Sequence, residues 1–162
     1  MYAAGKGVAL DYKRAVKWYT LAANQGLAVA QLNLGVMYHS GEGVKQSFAK
    51  AKEWVTKAAD QGLAEAQLNL GLMYYDGDGV KKDYKHAVKL YTLAVDQGHA
   101  KAQYNLGCMY RDGQGVDKDA KHAVELYTVA ADQGIAEAQF NLGLTYEDGA
   151  GVKFFYKRAV KW

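Results

Sequence analysis

A step of 36 residues governs the whole chain. Every one of its 18 glycines falls in one of four columns at that spacing, with no insertion or deletion. The columns start at Gly5, Gly7, Gly26 and Gly35 and run through Gly149, Gly151, Gly134 and Gly143. Gln31, Gln67, Gln103 and Gln139 obey the same step, as do Leu34, Leu70, Leu106 and Leu142. A period of this length marks an array of small units, each burying its apolar face against the next. The 162 residues hold about 4.5 such units. Composition removes other architectures. Half the residues are hydrophobic and the net charge is only +3, which excludes a disordered chain, and the absence of proline excludes collagen. A single cysteine, Cys108, excludes an intrachain disulfide framework and a thiolate zinc site. No apolar run approaches the ~18 residues of a membrane span.

One unit predicts two helices. Apolar spacing places the first over about Ala28–Tyr38, with Ala30, Gln31, Leu34, Gly35, Met37 and Tyr38 on its inner side. Gln31 and its equivalents point inward and are structural. The second helix covers about Phe48–Ala59, with Ala51, Trp54, Val55 and Ala58 inward. Gly41 and Gly43 bracket the turn between them, and Gly62 ends the second helix in a left-handed conformation. Gly35 lies inside a helix, where glycine costs ~1 kcal/mol against alanine; close approach of the paired helix, at small residues such as Ala51 and Ala58, accounts for it. Asp11, Ser47, Asp83 and Asp119 stand where an N-cap belongs, while Phe155 fills that place in the last unit.

The pattern Ala-x-Ala-Gln-x-x-Leu-Gly-x-x-Tyr-x-x-Gly-x-Gly-Val, followed by Ala-x-x-Trp-x-x-x-Ala-Ala-x-Gln-Gly, is clearest over 28–62 and resembles the Sel-1-like repeat family, a relative of the tetratricopeptide repeats. The resemblance implies an all-α fold, a right-handed α-solenoid of 36-residue helix-turn-helix repeats. On it, 1–162 forms one repeat domain: a partial repeat 1–27, full repeats 28–63, 64–99 and 100–135, and a partial repeat 136–162. It also implies a protein-interaction adaptor, often bacterial, rather than one activity. A cysteine-rich branch of the family is linked to β-lactam binding, and the present chain lacks those cysteines.

By analogy with the family, the first helices line a concave face. The columns there begin at Val29, Leu32, Asn33, Val36 and Ser40. Asn33, Asn69, Asn105 and Asn141 repeat unchanged, and Glu65, Lys101, Tyr104 and Phe140 stand among the variable positions. One reading is an amide ladder for an extended partner backbone, with Tyr104 and Phe140 as aromatic anchors. The other has the asparagines bonding to neighbouring elements and the apolar columns, Leu32, Leu68, Val36 and Leu72 among them, packing between helices. The second helices carry a basic stripe of Lys13, Lys85, Lys121 and Lys157 beside Arg14, Lys50, His86, His122 and Arg158. A solvated surface is the reading for that stripe, because a nucleic-acid reader needs positive charge where the ligand lies.

Enzyme signatures dissolve into the repeat. Ser47-x-x-Lys50 matches the serine and lysine of penicillin-recognising enzymes, yet Ser47 occupies the capping column. Asp76-Gly77-Asp78-Gly79 opens like a calcium loop and lacks the closing glutamate. We therefore expect a non-enzymatic scaffold for a partner peptide or helix, with no cofactor and no metal. A β-lactam-type binding or hydrolysing protein is the alternative class, and nucleic-acid binding through the basic stripe a third. The missing apolar core of a signal peptide sets a cytoplasmic expectation, or a periplasmic or secreted one if a leader has been lost. The repeat frame is open at both ends. Either the chain is a piece of a longer array, or a second copy covers the ends and buries Trp18, Tyr19, Phe154 and Phe155.

Overall fold

The computed structural model describes residues 11–147. Among them are eight α-helices and no strand. They divide into two compact units, one up to Lys82 and one from Asp83 onward. The first unit contains α1 (Tyr12–Asn24), α2 (Ala28–Ser40), α3 (Phe48–Asp60) and α4 (Ala64–Asp76). The second contains α5 (Tyr84–Val95), α6 (Ala100–Asp112), α7 (Ala120–Asp132) and α8 (Ala136–Glu147). Within each unit every helix packs on the next in chain order.

Helix boundaries follow the expected chemistry. The carboxylates of Asp11, Asp83 and Asp119 each accept from the backbone amide three residues on, at 3.0 Å, and the Ser47 hydroxyl accepts from Lys50 N at 3.4 Å. These caps start α1, α5, α7 and α3 by satisfying amides that have no helical partner. The expected cap failure at Phe155 lies outside the described residues. At the other end, α2, α4 and α6 stop at Gly41, Gly77 and Gly113, all left-handed.

The second glycine of each turn has a role that local sequence did not reveal. A Cβ on Gly43 would lie 2.5 Å from the Tyr12 carbonyl oxygen, and one on Gly79 would lie 2.7 Å from that of Phe48. Gly115 meets Tyr84 in the same way at 2.6 Å. Each turn is thus pressed onto the start of the second helix of the preceding repeat. Gly35 shows the anticipated close approach with one change of partner. Its missing side chain makes room for Val55 Cγ2 at 2.6 Å and the Ala51 carbonyl at 3.1 Å, rather than for Ala58.

The first helices bury more than one face. In α2 the buried set is Ala30, Gln31, Leu32, Leu34, Gly35 and Met37. Leu32 is 6% exposed and Leu68 only 3%, so these two belong to the core rather than to an outward face. The cause is geometric: α2 lies between α1 and α3, and a single inner stripe underestimates what two neighbours cover.

The glutamine column completes the frame. Gln31 is 6% exposed; its Nε2 donates to the Ala23 carbonyl at 3.1 Å, and its Oε1 accepts from Gln61 Nε2 at 2.7 Å. In the second unit Gln103 Oε1 accepts from Gln133 Nε2 at 2.8 Å, and Gln139 Nε2 donates to the Ala131 carbonyl at 3.1 Å. The carboxamides of first helices are therefore bonded to the ends of second helices, the preceding one at Gln31 and Gln139 and the following one at Gln31 and Gln103. Among the described residues no helix is long and apolar enough to cross a membrane.

Candidate functional site

Each unit carries a groove where a helix pair meets the first helix of the next pair. In unit 1 the groove encloses about 180 Å³ between α2, α3 and α4. Gly35, Val55 and Met73 form its buried floor, and Val36 and Leu72 are its apolar flanks. The rim is polar: His39, Asn69, Asp76 and Asp78. In unit 2 a groove of about 260 Å³ lies between α6, α7 and α8. It uses equivalent positions two repeats later, with Arg111 for His39, Tyr127 for Val55, Asn141 for Asn69, Leu144 for Leu72 and Thr145 for Met73.

The rims differ in how their charges are held. His39 Nε2 pairs with Asp78 Oδ2 at 2.8 Å, and the His39 ring meets Phe48 edge-on at 5.1 Å. Arg111 instead forks onto Asp112, with Nε to Oδ1 at 2.8 Å and Nη2 to Oδ2 at 2.9 Å. That hydrogen bond raises the Arg111 pKa further and holds the Asp112 carboxyl below its usual range. Beneath the second groove, the Tyr127 hydroxyl donates to Cys108 Sγ at 3.3 Å. Burial first, and then the thiol beside it, pushes the Tyr127 pKa up.

The asparagine column divides between the two readings. Asn69 Nδ2 donates to the Glu65 carbonyl one turn back at 2.7 Å and to Glu65 Oε1 at 3.4 Å, and the residue lines the groove. Asn141 Nδ2 donates to the Tyr104 hydroxyl at 3.4 Å. Asn33 and Asn105 are half-buried. Tyr104 is also half-buried, its ring 5.8 Å from that of Tyr127, and burial raises its pKa. Glu65 and Lys101 are exposed, and Phe140 is 66% exposed on α8. Asn69 and Asn141 are thus the two ladder residues that line grooves; the apolar companions that sequence reasoning placed beside them, Val36, Leu72 and Leu144, line the same grooves. His39 and Arg111 were not anticipated, because the groove forms across two repeats and no single helix wheel displays it.

Of the candidate end residues, Trp18 is 54% exposed, with the Lys17 ammonium 5.8 Å above its ring. Tyr19 is half-buried and packs with Ala23, Ala30 and Leu34. Phe154 and Phe155 lie outside the described residues. Of Ser47-x-x-Lys50, Ser47 caps α3 and Lys50 places its ammonium 5.1 Å from the Tyr38 ring centre. Among the described residues no three histidine, cysteine, aspartate or glutamate side chains converge on a metal-sized space.

The family model of the Sel1 repeat matches residues 1–27, 28–63, 64–99, 100–135 and 136–162. The chain belongs to the Sel1 repeat family. Its fold class, an all-α array of helix pairs of the α-solenoid type, is therefore the expected one. Among solved structures, a Sel1 repeat protein from Oxalobacter formigenes is 41% identical over the whole chain, with a TM-score of 0.93. A protective antigen present in uropathogenic Escherichia coli strains, displaying the SLR fold, is 34% identical over 99% of the chain with a TM-score of 0.59. Cysteine rich protein B of Helicobacter pylori is 26% identical over 85% of the chain with a TM-score of 0.65. The chain spans 66% of the first of these proteins, 42% of the second and 99% of the third. A comparison with curated proteins gives no match. Sel1 repeat proteins generally serve as scaffolds for protein–protein interaction and are generally not catalysts.

Proposed function

We propose that the chain is a non-enzymatic Sel1-type scaffold that holds a segment of a partner protein against the first helices of its repeats, with the grooves beside Asn69 and Asn141 as contact points. One observation carries the reading: a groove between a helix pair and the next first helix occurs in both units, with Leu72 and Leu144, and Asn69 and Asn141, at equivalent positions, while other lining residues change. A recurring leucine and asparagine beside residues that change lets a repeat surface separate attachment from selectivity. Each groove is smaller than the ~300–1,000 Å³ of typical small-molecule sites, which favours a single side chain of a larger partner over a metabolite.

The test blocks the grooves at exposed wall positions. Wild type and the double variant Val36→Trp/Leu144→Trp are immobilised and exposed to a bacterial lysate. At least one protein retained by wild type is expected to fall about tenfold in the variant, the effect of losing a central anchor pocket. Helical circular dichroism should be unchanged. Retention of the same proteins in the same amounts would remove the grooves from the binding surface.

A further inference from the structure

Among the described residues the two grooves are lined by different charged groups. No lysine or arginine lines the unit 1 groove, whereas Asp76 and Asp78 both do. Asp76 is exposed and has no ion pair or hydrogen bond among the described residues. Asp78 engages His39 through Oδ2, which leaves Oδ1 as an acceptor at the rim. Asn69 Nδ2 donates to the Glu65 carbonyl at 2.7 Å and to Glu65 Oε1 at 3.4 Å, which leaves its oxygen on offer as an acceptor. His39 and Asp76 stand in the last turns of α2 and α4, where the backbone carbonyls add partial negative charge. Asp76, the second oxygen of Asp78 and the Asn69 oxygen therefore all present acceptors or negative charge at this opening. In unit 2, Arg111 stands two repeats on from His39, and Lys118 also lines the groove; the counterparts of Asp76 and Asp78 lie outside the described residues.

We infer that the unit 1 groove receives a basic segment of the partner protein. One apolar side chain of leucine or methionine size seats between Val36 and Leu72 above Met73. A neighbouring arginine or lysine reaches Asp76 and the free oxygen of Asp78. An arginine suits the pair of carboxylates best, because its fork of donors can serve both. An acidic partner or a nucleic-acid phosphate meets like charge at the same rim. The inference rests on the scaffold reading and adds the chemistry of what the scaffold grips.

Fluorescence anisotropy with two labelled peptides tests it. One carries a leucine flanked by arginines; the other has glutamates in place of the arginines. The arginine peptide is expected to bind wild type about tenfold more tightly, the scale on which charge matching at an interface discriminates. Its affinity should fall with added salt. Asp76→Asn should weaken it several-fold and Asp76→Asn/Asp78→Asn should erase the preference. Asp76→Asn breaks no internal bond, so its thermal melt should match wild type and a binding change reads charge alone. Equal binding of the glutamate peptide, no binding of the arginine peptide, or an unchanged preference in the double variant would each overturn the inference. If Val36→Trp still abolishes peptide binding while the charge variants do nothing, the scaffold reading stands and only the basic partner is wrong.

Discussion

Gly62 and Gly79 form a matched pair for measuring what the contact between repeats contributes. Both have positive φ, 85° and 69°. Alanine in a left-handed conformation costs ~1–2 kcal/mol. The loss of unfolded-state freedom returns ~0.4–1 kcal/mol of this. Gly62→Ala meets nothing within 4 Å, so its net cost should be about 1 kcal/mol. Gly79→Ala bears the same conformational cost and a collision as well. Its Cβ would fall 2.7 Å from the Phe48 carbonyl oxygen and 2.8 Å from the carbonyl carbon. Those are backbone atoms at the first residue of α3, so relief requires the turn or the helix start to move. Overpacking of this kind adds ~1–3 kcal/mol. With a urea dependence of ~1–3 kcal/mol per molar, the two variants should differ by about 1 M in midpoint. Urea titration followed by helical circular dichroism measures the difference. Hydrogen exchange of the Lys50 amide, capped by Ser47, should accelerate only in Gly79→Ala. Coincident midpoints, with Lys50 equally protected in both variants, would refute the idea that the turn is locked onto the preceding repeat.

Three other outcomes follow from the same interactions. Gln31→Leu leaves the Ala23 carbonyl and the Gln61 amide without their buried partner and should destabilise the chain by ~1–3 kcal/mol in denaturant titration. Ser47→Ala and Asp119→Ala each remove a helix cap and should cost ~0.5–2 kcal/mol by thermal melting, with no nitrocefin turnover in either variant or in wild type. Burial and the Cys108 contact raise the folded-state pKa of Tyr127, so the unfolded chain gives up this proton first, near the ordinary tyrosine value of about 10. Its contribution to stability is complete below that pH and is lost as the pH rises beyond it, so stability measured between neutral and strongly alkaline pH should decline less steeply in Tyr127→Phe than in wild type.

Much of the fold was legible because its signals are local. Asp11, Ser47, Asp83 and Asp119 each announce a helix start within three residues of themselves, and Gly41 and Gly62 announce ends. Gln31 was legible as inward-pointing from its wheel position alone. Leu32 was harder, since a wheel assumes one buried side and α2 has neighbours on two. The reason for Gly43, Gly79 and Gly115 could not be read locally, because the atoms they touch belong to the previous repeat. The candidate site was half legible for the same reason. The columns of Asn69 and Leu72 were visible as surface positions, but the pairing of His39 with Asp78 depends on how one turn sits against the next.

The turn glycines have a consequence for how such a chain can vary in length. What Gly43, Gly79 and Gly115 touch is the backbone at the opening of a helix: Tyr12, Phe48 and Tyr84 are met at carbonyl atoms, the amide that follows or Cβ. No side chain beyond Cβ is recognised, so the joint is indifferent to which residue stands there. Tyrosine, phenylalanine and, at Ala120, alanine all occupy that place. Successive repeats are therefore interchangeable parts with one standard coupling, and a whole 36-residue module can be gained or lost without redesigning its neighbours. Selectivity can then be edited one groove rim at a time while the joinery stays fixed.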